Sequence, residues 1–254
     1  MTRRRLLIAL VAAALATPAA AAPVAGGSID VLPDLQMAQP YSVQVTTTEG
    51  GRKKLRFGTI AYNVGDGPIE VRAGDRNGRE MQNVRQWIHR SDGSGRAVAK
   101  PEARVFYSGD GHDHWHVARF IVVRLTSLEE ADTQRRIRKI GFCLLDSVSM
   151  SAAERPPNSP SGPVYFSCGT LRSTKIRVGV SVGFGDNYPP DFAHQAIDVT
   201  GLPAGTYRLC ATVNPHAIWT ERNNNFSNNS FWMDLDLNVS SNHLAVIGTG
   251  QTAC

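Results

Sequence analysis

Three histidines within five residues give this chain its clearest capacity for chemistry. They lie in Gly109-Asp110-Gly111-His112-Asp113-His114-Trp115-His116-Val117. Along a β-strand the side chains alternate between faces, so His112, His114 and His116 would point one way and Asp113 and Trp115 the other. Same-face neighbours stand roughly 6–7 Å apart on a strand. Three imidazoles converge on one ion where the strand twists or bulges, a bend that the neighbouring Gly-Asp-Gly permits. Three neutral nitrogen donors suit Cu(II), Zn(II), Ni(II) or Fe(II), with water or a further ligand completing the sphere. The expectation is a transition-metal site, with copper foremost. The remaining histidines, His89, His194, His216 and His243, are scattered and read as surface or satisfied core residues.

Short strands must carry this site. Tyr41-Ser-Val-Gln-Val-Thr alternates with period two, as does the run from Leu55 to Val64, which ends at the turn signal Gly65-Asp66-Gly67-Pro68. Ile69-Glu-Val-Arg follows, then Ala103 to Tyr107, His114 to Leu125, Ile176 to Val182, Ala196 to Val199, Thr206 to Val213 and Phe231 to Val239. Such segments bounded by Gly, Pro, Asn and Asp point to a mainly β protein, an antiparallel sandwich-like domain with long loops. One short helix is expected over 127–140, where Ser127 is a cap candidate, acids open the segment and bases close it. The proline-rich stretch from Pro156 to Pro163 is a loop.

The 254 residues suffice for one domain with a sizeable core. Residues 1–22 read as an export signal: Arg3, Arg4 and Arg5, an apolar run from Leu6 to Ala16, and a small-residue cleavage zone. The arginines also fit a loose twin-arginine pattern. Residues 23–33 read as a flexible lead-in, and 34–254 as a single domain. The formal charge of +5 includes those three arginines, which leaves the mature chain near +2 (5 − 3). No basic stripe with interleaved aromatics supports nucleic-acid binding, and no later segment is apolar enough to span a membrane. Four cysteines in an exported chain favour disulfides. Of the three possible pairings, joining sequence neighbours gives Cys143–Cys168 and Cys210–Cys254. A secreted or periplasmic protein is expected; its oligomeric state is not encoded legibly.

The histidine stretch resembles the copper-binding segment of the lysyl oxidases, secreted amine oxidases that carry a lysine tyrosylquinone. Further segments keep that family's order. Thr133-Gln134-Arg135-Arg136 precedes Lys139 and Phe142-Cys143-Leu144. Asp186-Asn187-Tyr188 precedes Gln195, Ile197, Asp198 and Thr200. Then come Leu202, Gly205 and Tyr207, Asn214-Pro215, Glu221 and Asn228-Asn229, while Pro33-Asp34-Leu35 matches near the start. The resemblance spans nearly the whole mature chain. The link from Arg136 to Lys139 is shorter than in the animal enzymes, and cysteines are fewer.

The resemblance implies that Lys139 and Tyr188 are the precursors of the quinone cofactor. Copper held by the histidines would activate the Tyr188 ring toward O₂, and the Lys139 amine would add to the oxidised ring. A nucleophilic lysine must be partly neutral, which burial near a cation promotes. The mature carbonyl would form a Schiff base with a primary amine, either a peptidyl lysine or a small amine. Aldehyde, ammonia and H₂O₂ would be the products, and Asp186, the acid nearest Tyr188 in sequence, is the candidate general base. The family also implies a structural calcium ion at Asp34, Leu35, Glu221, Asn228 and Asn229, oxygen donors that suit Ca(II), although the segment from Glu221 to Asn229 is two residues longer than the family form. Two other readings compete: a secreted copper-binding protein of this fold without quinone, and a zinc hydrolase using metal-bound water. The latter lacks a glutamate beside the triplet.

Overall fold

The computed structural model describes residues 27–109, 111, 113–130 and 132–254. The export signal expected over 1–22 lies outside them. Antiparallel strands dominate, and the described residues contain one helical element, the three-residue 3-10 turn Arg222–Asn224. The strands form four sheets. In the first, Asp30–Val31, Arg85–Arg90, Ile69–Ala73 and Ile176–Val180 lie in that order, with Gly95–Ala99 beside Arg85–Arg90. A second runs Gly141–Phe142, Trp115–Ala118, Val105–Tyr107, Glu80–Met81, Arg76–Asn77. A third runs Gln134–Arg136, Ile121–Ser127, Gly205–Val213, Ser230–Asn238, His243–Gly250. The fourth is built on one long strand, Lys53–Asn63, which pairs with Leu35–Met37, Tyr41–Thr47, Phe184–Tyr188 and Ala196–Asp198.

Alternation explains these elements. In Ile121–Ser127 the residues Ile121, Val123 and Leu125 are buried while Arg124 is exposed, and in Gly205–Val213 Tyr207, Leu209, Ala211 and Val213 are buried. Burying each such face removes apolar surface from water at roughly 25 cal/mol per Å². The inner faces meet in a single core that includes Phe57, Trp115, Phe120, Phe142 and Leu235.

Three sequence expectations are corrected here. Residues 127–140 are not helical: Gln134–Arg136 pairs back on Ile121–Ser127, closing a hairpin. The capping signal is physically real, since the Ser127 hydroxyl accepts hydrogen bonds from the Glu129 and Glu130 amides, 3.2 and 3.0 Å. It caps a turn, because the segment has no apolar stripe to bury, Leu128 and Ile140 both being exposed. The run from His114 to Leu125 is two strands in different sheets, separated at Arg119, whose φ is +56°. Finally, the end of the expected lead-in is ordered into the fold: Asp30–Val31 pairs with Arg85–Arg90, and Asp30 forms ion pairs with Arg90 and Arg96.

Candidate active site

The histidines enter the fold at the edge of the Trp115–Ala118 strand. His116 lies within that strand and is buried; His114 precedes it and is half-buried; His112 lies outside the described residues. Of the two described histidines only His116 lies within the strand, which begins at Trp115; ahead of it Gly111 and Asp113 adopt φ of +92° and +40°. The turn still aims two rings at one point. The Nε2 atoms of His114 and His116 stand 2.9 Å apart. Two nitrogens bound at about 2.0–2.1 Å to one ion, near a right angle, would be separated by about the same distance. The donor set thus fits a transition metal, although no group of three His, Cys, Asp or Glu side chains gathers around one point among the described residues.

The neighbouring strand brings in Lys139. Gly141 and Phe142 pair with Ala118 and Val117. This close approach requires the glycine: a Cβ at Gly141 would stand 2.6 Å from both His116 Nδ1 and Phe106 Cζ. Two residues upstream, Lys139 is buried, with its Nζ 4.9 Å from the ring centroid of Tyr188 and 5.5 Å from that of Phe142. Tyr188 ends the Phe184–Tyr188 strand, opposite Thr59, just before Pro189 and Pro190. Its hydroxyl donates to the Cys143 carbonyl at 2.9 Å, and Phe142 packs edge-on against its ring.

Electrostatics at this pair follow from burial. Burial pushes the Asp186 carboxyl well above the usual carboxylate range, although the Tyr188 hydroxyl, the Leu145 amide and the Lys139 charge all favour its ionised form. Its Oδ2 is buried with no hydrogen-bond partner. Burial also pushes the Tyr188 phenol up, and the adjacent Asp186 adds to that effect. A cavity of about 490 Å³ opens onto the site, lined in part by Phe106, His116, Lys139, Gly141 and His194. Sequence reasoning missed His194 as a lining residue. Its φ of +64° is uncommon outside glycine, but no feature of the sequence announces it.

Both disulfides expected from sequence neighbours form, Cys143–Cys168 and Cys210–Cys254. The first connects the two limbs of the site. The Cys143 carbonyl holds the Tyr188 hydroxyl, and the Cys168 carbonyl accepts the Trp115 amide of the histidine strand at 3.1 Å.

Set against known families, residues 71–246 match the model described as lysyl oxidase. The chain belongs to the lysyl oxidase family. No curated protein matches it. The matched span covers the lysyl oxidase histidine segment, Lys139 and Tyr188, and it extends past Glu221 and the two asparagines.

Those last residues also come together. Asp34, Glu221 and Asn229 are buried. Glu221 accepts from the Leu35 amide at 2.6 Å and from the Asn214 and Asn229 side chains at 2.7 Å each. Asn228 donates to Asp34 at 2.8 Å. Burial pushes the Glu221 carboxyl up to about 7, with Asp34 adding to the shift against those hydrogen bonds. The Oδ1 atoms of Asn228 and Asn229 are buried without partners. Two carboxylates and two orphaned amide oxygens fit a hard cation. Positive charge is already present, since the Arg222 guanidinium lies 2.6 Å from Asp34 Oδ2.

Proposed function

We propose that this protein is an exported copper- and quinone-dependent amine oxidase, converting a primary amine, O₂ and water into an aldehyde, ammonia and H₂O₂. The observation that carries the reading is the Lys139 amine poised 4.9 Å from the centre of the Tyr188 ring, both side chains buried. Proximity of this kind favours reaction between the two groups, and the lysyl oxidase resemblance supports lysine tyrosylquinone as the product. Copper and that quinone, once in place, supply O₂ activation and a carbonyl electrophile for the amine. His112, His114 and His116 would hold the copper; Lys139 and Tyr188 would become the cofactor. Asp34, Leu35, Glu221, Asn228 and Asn229 would hold a structural calcium.

The chain's own residues account for the rest. The Cys143 carbonyl fixes the Tyr188 hydroxyl, and the edge of Phe142 limits rotation of the ring. Lys139 is buried, with its amine against the rings of Phe142 and Tyr188. Asp186 has the attributes of a general base: burial, an elevated proton affinity and an unpartnered Oδ2. Two disulfides support passage through an oxidising compartment, and no helix among the described residues is long and apolar enough to cross a membrane.

Purified, copper-loaded protein exposed to O₂ tests this directly. The expected result is a visible quinone band that phenylhydrazine derivatises, a Lys139–Tyr188 crosslink by peptide mass spectrometry, and H₂O₂ release from simple amines. Lys139→Met should lose all three while keeping copper, and His114→Ala should lose stoichiometric copper. Copper-replete protein with neither crosslink nor H₂O₂ would leave the copper-binding reading without quinone; full copper retention by His114→Ala would remove the metal assignment.

A further inference from the structure

The larger cavity, about 650 Å³, shares no lining residue with the candidate active site. It opens on the sheet that holds Ile69–Ala73. In that strand Ile69, Val71 and Ala73 belong to the core, so by alternation Glu70 and Arg72 face the other side. Arg72 stands directly opposite Arg177 on one neighbouring strand and opposite Arg85 on the other. Three arginines thus leave three adjacent strands side by side, with strands about 4.8 Å apart. Like charges directly opposite one another destabilise a sheet.

One carboxylate offsets part of this repulsion. Glu70 is fully buried and accepts from Arg72 Nε at 2.5 Å, Tyr165 at 2.6 Å, Arg177 at 2.9 Å and His89 at 3.1 Å. Burial alone would raise its proton affinity, but these donors outweigh it and hold the carboxyl well below the usual range. The same contacts fix the arginines. The Arg72 guanidinium lies 3.7 Å from the Trp87 ring centre, and that of Arg177 lies 5.0 Å from the Tyr165 ring centre. Arg85 and Lys175 add two further cations to the lining; both are exposed, and neither has an ion pair among the described residues. Asp75 is the second carboxylate nearby and receives the Asn83 amide. Four cations therefore face two carboxylates, one of them already saturated. Guanidiniums held between an aromatic face and a carboxylate keep their remaining N–H groups in fixed directions, which is how oxyanions are recognised with little ordering cost.

We propose that this groove binds a compact polyanion, a ligand presenting two or more carboxylate, phosphate or sulfate groups to Arg72, Arg85, Lys175 and Arg177. A volume of about 650 Å³ lies in the range of small-ligand sites. Benzene-1,3-disulfonate and benzene-1,3-dicarboxylate are suitable probes, because they differ in the anion alone and chelate metals poorly. Titration calorimetry of the full chain at low ionic strength should show saturable one-to-one binding of at least one, and the tighter of the two assigns the anion type. Arg85→Ser/Lys175→Ser, at exposed positions, should weaken binding roughly tenfold or more. Arg135→Ser/Arg136→Ser, an equal charge change on the exposed Gln134–Arg136 strand, should leave it unchanged. Absence of saturable binding to either probe, or equal weakening by both double variants, would overturn the proposal.

Discussion

Removing the Cys143–Cys168 bridge separates the scaffold's stability from the geometry of its site. Cys143→Ser/Cys168→Ser opens a closed loop of 25 residues, whose closure is worth about 3.5 kcal/mol in chain entropy. The second bridge closes 44 residues, worth about 4 kcal/mol on the same relation. At about 2–4 °C per kcal/mol for a domain of this size, the two double variants should melt lower by about 7–14 °C and 8–16 °C, so Cys210→Ser/Cys254→Ser should be the less stable. At the site the order reverses. Only Cys143–Cys168 joins the carbonyl that holds Tyr188 to the carbonyl that holds the histidine strand. A shift of about 1 Å between reacting groups can cost about a hundredfold in rate, so Cys143→Ser/Cys168→Ser should form the Lys139–Tyr188 crosslink about tenfold more slowly or worse. Cys210→Ser/Cys254→Ser should form it at the native rate. Calorimetry would give the melting temperatures. Timed mass spectrometry after copper addition, at a temperature where both variants are folded, would give the crosslinking rates. Equal crosslinking in the two variants would refute the clamp.

Glu70→Gln should cost about 3 kcal/mol at pH 7, the lower end for breaking a buried pair because Arg72 and Arg177 reach solvent. Since its folded pKa is depressed, the stability contributed by Glu70 is present above its unfolded value of 4.5 and is lost as pH falls below that. Melting temperatures of the variant and the native protein should therefore converge on acidification from about pH 4.5; a constant gap down to pH 3 would contradict this. Calcium at about a hundred times its dissociation constant should add about 2.7 kcal/mol, read as a rise in melting temperature that Glu221→Gln abolishes. No rise in the native protein would mean that Arg222 alone satisfies the Asp34 cluster. Gly141→Ala should weaken copper binding about tenfold or more by displacing His116, measured by competition with a chelator; unchanged affinity would show that the ring has room to move.

What the sequence revealed and what it concealed divide along physical lines. Strands with one face buried and one wet were legible, because their period of two survives in Ile121–Ser127 and Gly205–Val213. Phe184–Tyr188 was not: Gly185, Asp186 and Asn187 lack strand propensity, and long-range pairing with Lys53–Asn63 holds them. The Arg85–Arg90 and Gly95–Ala99 hairpin is marked in the sequence only by the turn signal Asp92-Gly93, where Gly93 has φ +81°. Lys139 and Tyr188 emerged by family order alone, since neither spacing nor composition distinguishes them from ordinary surface residues. The Glu70 cluster stayed hidden because Ile-Glu-Val-Arg reads as a solvated face; only the burial of Glu70 shows otherwise.

The Lys53–Asn63 strand has a further consequence, in the timing of folding. Its early partners, Leu35–Met37 and Tyr41–Thr47, are close in sequence and pair after closing short loops. Its later partner carries Tyr188, and Tyr188 meets Thr59 only across more than a hundred intervening residues. Non-local pairing of that kind is slow, because loop entropy is lost before any contact compensates for it. A nascent chain therefore exposes a half-filled sheet edge until its final third arrives. The proposed modification of Tyr188 by Lys139 would therefore have to wait until the Phe184–Tyr188 strand has docked on Lys53–Asn63, so that a chain still lacking this pairing would stay unmodified.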